Sequence, residues 1–516
     1  MLWMTPESLV RTVEAFLAGS RDAVIVEDGA VAFDLAESKY SVSGEYNKCL
    51  LHVWSSERNI VRRVVDAESK NDVLKLAVQK LGQSRPTKLE ICRQRDRRTP
   101  SAKKTARMAY RRMLERMLHR HFPELQLGPL STAMDLEKSF GPIYARGLLR
   151  QGQSAFAVVG VNRQETQGSI DAVLTYGILW LENCRVACAG KAVVHGLKLF
   201  LPAGKAGLVR ERMAHLHREI ARWELYELSE NADTLTEVDV GDRGNIATRL
   251  MHACDEQGAR ERFAAAIATV REVMPEVEIA VLSGAEIAFR HHGLEFARAR
   301  LSQSLHAAHD LVFGVGAEER VLCDGNAERF VRLVRSVGEV RHPDGPHDHP
   351  LWRLYPERWL ETLVVRNVNA IDERLDSGRV YSQVPAFSAA DRGMLDVLCA
   401  THDGRLAVLE LKADEDIHLP LQGLDYWSRV AWHHQRGEFK RFGYFQTREL
   451  APDPPLLFLV APAFHVHPAT DTLLRYLSPE IKWMLLAIDE RWRDGVRVVF
   501  RKQPGNIDNC RLPIAN

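Results

Sequence analysis

The stretch Met394-Leu-Asp-Val-Leu-Cys-Ala-Thr-His-Asp-Gly-Arg-Leu-Ala-Val-Leu-Glu-Leu-Lys412 constrains the fold of this chain more than any other. Apolar residues alternate with polar or small ones on both sides of residues 401–404, and Asp403-Gly404 supplies the φ > 0 residue that a tight turn needs. Two strands joined as a hairpin are therefore expected. Glu410 and Lys412 are two residues apart and project from one face, while Leu409 and Leu411 project from the other. Loop length then decides whether Asp396 joins them. A two-residue loop pairs His402 with Arg405 and sets Asp396 opposite Leu411, on the wrong face. A three-residue loop with Gly404 in the left-handed region pairs Thr401 with Arg405 and carries Asp396 opposite Glu410. The second register is the expectation, with two carboxylates and an ammonium on one face beside a core.

Such a cluster has a chemical use. Carboxylate oxygens are preferred ligands of Mg²⁺, which keeps several waters and accepts phosphate oxygens. A nearby ammonium orients an attacking water and stabilises charge developing on the phosphate. Asp396 followed by Glu410-Leu-Lys412 resembles the PD-(D/E)XK nuclease superfamily, in which an acid on one strand precedes a Glu-x-Lys on the next; Leu395 stands where that motif often has proline. Upstream, Pro356-Glu-Arg-Trp-Leu-Glu361 has helical apolar spacing, and Glu361 looks like the helix-borne acid that many of these nucleases add to the metal site. Downstream, Gln422 and Tyr426 stand one helical turn apart and look like the Gln-xxx-Tyr signature of the RecB-like branch. The resemblance covers roughly residues 350 to 510. It implies that Glu361, Asp396 and Glu410 hold Mg²⁺ or Mn²⁺, that Lys412 positions or polarises water, and that Gln422 and Tyr426 brace the site or touch the strand. Asp and Glu-x-Lys on consecutive strands also arise on solvated sheet faces as cross-strand ion pairs, and a nuclease fold can lose its activity.

The chain has 516 residues, too many for one hydrophobic core, so several domains are expected. A formal net charge of +1 says nothing of partners, and the informative quantity is local asymmetry. The eight cysteines are scattered, and no basic leader or run of about 18 apolar residues is seen, so a cytoplasmic protein with free thiols and no membrane association is expected. Cys184 and Cys188 lack a second pair at zinc-site spacing.

Residues 1–125 open with a helix from Pro6 to Leu17 and continue as a β-rich module whose exit is strongly basic. Arg93, Arg95, Arg97, Arg98, Lys103, Lys104, Arg107 and Arg111 lie in this run, the footprint expected for phosphate contact, with a solvated basic helix as the competing account. Residues 102–122 suit a helix burying Met108, Leu114, Met117 and Leu118, while Tyr46, Trp54 and Tyr110 are candidates for stacking on bases. Residues 126–245 read as mixed α/β, with buried strands at 155–161, 172–181 and 193–202 and a helix from Leu208 to about Glu227. A second, degenerate sheet of the same kind is conceivable there, but no Glu-x-Lys follows, and Glu165 and Asp171 are taken as surface acids. Residues 246–341 read as α/β, with helices over 256–273 and 294–308; His306 and His309 then share a helical face without a defined carboxylate partner. His342-Pro-Asp-Gly-Pro-His-Asp-His-Pro350 reads as a linker. No internal repeat is evident, and Pro202-Ala-Gly-Lys-Ala-Gly lacks the phosphate-loop spacing, so any ATP-driven opening of duplex falls to a separate helicase or ATPase.

The resulting expectation is a mixed α/β, multidomain chain with a β-rich N-terminal module and, at 350–516, a restriction-endonuclease-like mixed sheet flanked by helices. It would be a metal-dependent nuclease acting on DNA, with RNA left open and the oligomeric state unspecified. The rivals are a non-catalytic nucleic-acid-binding or sensing protein with an inactive nuclease fold, and an enzyme that uses the same carboxylates on a small phosphoester.

Overall fold

A computed structural model describes residues 5–505 apart from 19–22, 28–29, 36–37, 46–47, 55–58, 71, 80–85, 94–99, 136–137, 230–231, 245, 247, 303–308, 316–318 and 389–393; at some further residues it describes only the backbone. Its contacts divide the chain into two units, one formed chiefly by Met1–Ala106 and the other by Arg107–Val315 with Glu319–Asn516. The protein is mixed α/β, built on several multi-stranded sheets.

In the first unit seven antiparallel strands run from the edge strand Ala30–Asp34 through Val24–Glu27, Thr87–Cys92, Val73–Gln79, Asn59–Lys70 and Lys48–Trp54 to Lys39–Glu45. Strand Val73–Gln79 alternates buried and half-buried positions, as a sheet with one covered face requires. The cover is the helix Pro6–Ala18, which buries Leu9, Val13, Phe16 and Leu17.

The second unit contains the same succession of elements twice. In the first half β1 (Gln126–Leu127), β2 (Tyr144–Gln151) and β3 (Ser154–Val161) are antiparallel neighbours. Helix α1 (Val173–Cys188), β4 (Val193–Pro202), α2 (Gly207–Met213) and β5 (Arg222–Ser229) follow, with β3, β4 and β5 parallel, and β6 (Thr234–Val238) closes the sheet antiparallel. The strand β7 (Thr248–Leu250) crosses to the other sheet. There β8 (Tyr381–Ser388), β9 (Met394–Ala400) and β10 (Leu406–Leu411) are again antiparallel neighbours. After α4 (Leu419–Gln435), β11 (Leu456–Pro462), α5 (Thr470–Arg475) and β12 (Lys482–Ile488), the strands β10, β11 and β12 are again parallel, and β13 (Val498–Lys502) again antiparallel. Thus a repeat that the sequence does not display is present as topology.

The two sheets enclose one apolar core. Leu197, Leu199 and Leu201 of β4, Val173, Leu174 and Ile178 of α1, Leu424 and Trp427 of α4, and Leu457 and Leu459 of β11 all belong to it. Helix α2 packs on α4, and α5 packs on α1. This explains a misreading of the sequence: the apolar run 172–181, expected to be a strand, is the first part of helix α1. A helix sandwiched between its own sheet and the other half is apolar all round and loses the polar face that marks its period. Similarly, the helix expected from Leu208 ends at Met213, and β5 begins at Arg222.

The outer face of the first sheet is covered by the helix Pro100–His121, which buries Tyr110, Leu114, Met117 and Leu118. Met108, expected in that stripe, is exposed, and Tyr110 takes its place in the core. The outer face of the second sheet is covered by α3 (Pro356–Arg366), through Trp359, Leu360 and Val364.

A five-stranded antiparallel sheet between Glu278 and Val321 buttresses α3. Its Glu278 binds Arg366 at 2.8 Å, and its Gly293 lies so near α3 that a Cβ would meet the Arg358 carbonyl oxygen at 2.2 Å. Residues 294–301, expected to be helical, form one of its strands, and His309 lies on another; His306 is outside the described residues. The expected linker at 342–350 is a series of turns whose exit is pinned. Arg341, fully buried, donates to the carbonyls of Leu351 at 2.8 Å and Leu354 at 2.7 Å. Among the described residues, no helix is long and apolar enough to cross a membrane.

Candidate active site

The β9–β10 hairpin has the three-residue loop. Val397 pairs with Leu409 and Ala400 with Leu406, and the Thr401 N–H donates to Arg405 O at 2.8 Å. Gly404 has φ +88°, and a Cβ there would meet Glu449 O at 2.5 Å, so this glycine is required twice over. The same register sets Asp396 opposite Glu410, and the Leu411 N–H donates to Asp396 Oδ2 at 3.0 Å. Lys412 follows β10 directly, held by its N–H to Val460 O at 2.9 Å. Its Nζ lies 3.2 Å from Glu410 Oε1, 3.7 Å from Glu357 Oε1 and 4.0 Å from Asp416 Oδ2.

Two helices close over this hairpin. Helix α3 starts at Pro356, whose fixed φ and missing N–H suit a first helical position. It presents Glu357 and Glu361 one turn apart. Glu361 Oε2 accepts from Arg358 Nη1 at 3.0 Å and from Gln383 Nε2 at 2.8 Å. Gln383, on β8, has φ +54° and falls opposite Asp396, between the pairs Ser382–Val397 and Val384–Leu395. Helix α4 lies directly above Glu410: a Cβ at Gly423 would come within 3.7 Å of the Glu410 Cβ. Gln422 and Tyr426 flank that glycine on α4.

Five carboxylates, Glu357, Glu361, Asp396, Glu410 and Asp416, thus face one ammonium and one guanidinium. Burial, reinforced by Asp396, raises Glu410 well above the ordinary carboxylate range. Burial pushes Glu361 up to about 7, although Arg358 opposes it. Burial also raises Asp396 and Glu357. For Lys412 burial works the other way, but Glu410, Glu357 and Asp396 outweigh it and hold the ammonium above its usual range. Burial and the Glu410 and Asp396 charges keep the Tyr426 phenol protonated. Burial and the crowding of like charge thus oppose ionisation of these carboxylates, Glu410 most strongly.

Among the described residues, no three His, Cys, Asp or Glu side chains converge closely enough to grip a metal ion as they stand. The contacts explain why: Lys412 lies against Glu410, and Arg358 and Gln383 hold Glu361. The donor chemistry nevertheless fits a hard divalent cation. Glu410 Oε2 and Gln422 Oε1 are both buried and accept no hydrogen bond. A buried oxygen left without a donor is costly unless a cation or water meets it.

The hairpin and α4 bring Asp396, Glu410, Lys412, Gln422 and Tyr426 together, and α3 adds Glu361. Glu357, Arg358, Gln383 and Asp416 were missed. The i, i+4 spacing of Glu357 and Glu361 on an amphipathic helix was the available signal; nothing in the sequence marked Gln383.

The basic run is less uniform than its composition. Arg95, Arg97 and Arg98 lie outside the described residues. Arg93 is exposed, its guanidinium 4.6 Å from the centre of the Phe16 ring. Lys103 is half-buried and Lys104 exposed. Arg107 binds Glu165 at 2.7 and 3.1 Å, so Glu165 is no surface acid but a buried partner. Arg111 lies 3.7 Å from Glu115. Tyr46 lies outside the described residues, and of Trp54 only the backbone is described.

No protein-family model matches this chain, and no curated protein or solved structure matches it either.

Proposed function

We propose that this chain is a Mg²⁺- or Mn²⁺-dependent nuclease that hydrolyses phosphodiester bonds of DNA, with the second sheet of the Arg107–Asn516 unit as a PD-(D/E)XK-like catalytic sheet. The observation that carries the reading is the Asp396–Glu410–Lys412 constellation on two adjacent strands, with the buried Glu410 Oε2 accepting no hydrogen bond. Asp396, Glu410 and Glu361 would hold the cation, which when bound supplies positive charge to a phosphate oxygen and acidifies a water. Lys412 orients the attacking water and faces the charge that develops on phosphorus. The water gives up a proton to solvent as its oxygen bonds to phosphorus, the P–O bond on the far side breaks, and the departing alkoxide takes a proton from solvent. Tyr426, protonated above the carboxylates, is a donor to the phosphate rather than a base. Exposed cations of the basic run, such as Lys104, contribute backbone contacts.

A second reading, a catalytically silent nucleic-acid-binding protein, has one observation in its favour: Arg358 and Gln383 already satisfy Glu361. Incubation of single-stranded DNA, duplex DNA and RNA with the chelated protein, and then with Mg²⁺ or Mn²⁺ restored, separates the two. Metal-dependent cleavage that Glu410→Gln abolishes supports the nuclease. Binding without cleavage under every metal condition leaves the silent reading standing.

A further inference from the structure

The two halves of the Arg107–Asn516 unit repeat one topology, and among the described residues only one of them carries the acidic cluster. The correspondence is fixed by register. Leu197 pairs with Trp223 as Leu457 pairs with Trp483, and Pro202 pairs with Leu228 as Pro462 pairs with Ile488. Gly177 on α1 faces Leu197 and Leu199 as Gly423 on α4 faces Leu457 and Leu459. The halves meet in a two-fold manner at an antiparallel bridge between Leu216 and Leu477. There the His217 N–H donates to Tyr476 O at 2.8 Å and the Ser478 N–H donates to His215 O at 2.9 Å. Each residue bonds its counterpart's neighbour reciprocally, as at the interface of a symmetric dimer.

The same registers identify what replaces the catalytic trio in the first half. Val159 pairs with Leu199 as Glu410 pairs with Leu459, so Val159 stands for Glu410 and Val161 for Lys412. Val159 pairs with Arg146, which therefore stands for Asp396. Arg146 is buried, donates to Gly141 O at 3.2 Å and to Ala133 O, and lies 4.6 Å from the Phe140 ring centre. It also lies 5.7 Å from the ring of Trp180, the counterpart of Tyr426. A guanidinium occupies the acid's position, and the isopropyl groups of Val159 and Val161 occupy the other two. At these equivalent positions the first half offers no carboxylate to hold a divalent cation and no ammonium to position water.

A two-fold nuclease with two centres matches the antiparallel strands of a duplex and cuts both. This scaffold keeps the two-fold frame in one chain with one centre. Resting on the nuclease reading, we infer that each engagement hydrolyses a single strand, so that on duplex DNA the chain is a nicking enzyme whose first half is a silent counterpart supporting the other.

Supercoiled plasmid DNA with Mg²⁺ or Mn²⁺ tests this, with DNA in excess over the full chain. Open circles should accumulate first, linear DNA should appear only after repeated nicking, and Glu410→Gln should remove all nicking. Linear DNA appearing in step with open circles would show two centres acting in concert and overturn the inference while leaving the nuclease reading intact. Nicking that survives in Glu410→Gln would place a second centre elsewhere and overturn it too. Absence of any cleavage by the wild-type chain, on plasmid or single strand, overturns the nuclease reading and this inference with it.

Discussion

The Glu410 carboxylate meets the Lys412 ammonium at 3.2 Å through Oε1, while its Oε2 is buried and accepts no hydrogen bond. A half-satisfied buried carboxylate among others of like charge is a destabilised group. Glu410→Gln should therefore stabilise the metal-free protein while abolishing cleavage. The gain is on the order of 1 kcal/mol, or roughly 2–4 °C in Tm. Thermal melts with and without Mn²⁺ check this: the wild type should gain stability from the ion and the variant should not. A variant that melts lower and still responds to Mn²⁺ contradicts the assignment.

Arg212 and Asp425 tie the two halves together. Arg212 Nε and Nη2 donate to the two Asp425 oxygens at 2.8 and 2.7 Å, and Nη1 donates to Asp171 O at 2.7 Å, all in a nearly dry interface. Asp425→Leu alone strands a buried guanidinium and should cost about 3–5 kcal/mol in urea unfolding. Arg212→Met together with Asp425→Leu should recover most of that loss, because two apolar groups need no partners there. A single variant with wild-type stability would mean that the halves do not depend on this pair.

His292 gives the fold a pH dependence. It is a left-handed residue with φ +44°, its ring 5.0 Å from that of Trp359. Burial, with the adjacent His291 adding, lowers it from 6.5 to about 4. Between those values the unfolded chain binds the proton and the folded chain does not. Its contribution is complete above about pH 6.5 and is lost as pH falls toward 4. His292→Asn, which tolerates the left-handed backbone, should flatten the fall of Tm across that window. An equally steep profile in the variant assigns the acid sensitivity elsewhere.

What the sequence disclosed follows from local periodicity. The β9–β10 register was legible because a period of two and a single glycine leave one loop length that puts Asp396 and Glu410 on one face. The duplication was legible only as a second, degenerate sheet without a Glu-x-Lys, because the trio that marks one half reads Arg146, Val159 and Val161 in the other. Strand Leu294–Leu301 misled because alternating alanines and arginines are helix formers, and the β-sheet partners that override this preference lie elsewhere in the chain. Glu165 was misassigned because its partner Arg107 is 58 residues away, a distance no pattern spans.

Arg107 and Lys104 are three residues apart on the helix Pro100–His121, and composition treats them alike, but their surroundings do not. Lys104 is exposed and able to meet a phosphate, whereas Arg107 is committed to Glu165, whose side chain is only 5% exposed. Each phosphate neutralised contributes about 0.9 to the slope of log affinity against log salt on duplex DNA. Lys104→Ala should lower that slope by up to about this amount for every DNA sequence alike, without changing stability. Arg107→Ala should leave the slope unchanged and instead destabilise the fold, since Glu165 would be left buried without its cation; a loss of about 3 kcal/mol or more is the scale for breaking such a pair. Fluorescence anisotropy at several salt concentrations, paired with urea unfolding, separates the two effects. An Arg107→Ala protein of wild-type stability with a reduced salt slope would move Arg107 from the core of the fold to its nucleic-acid interface.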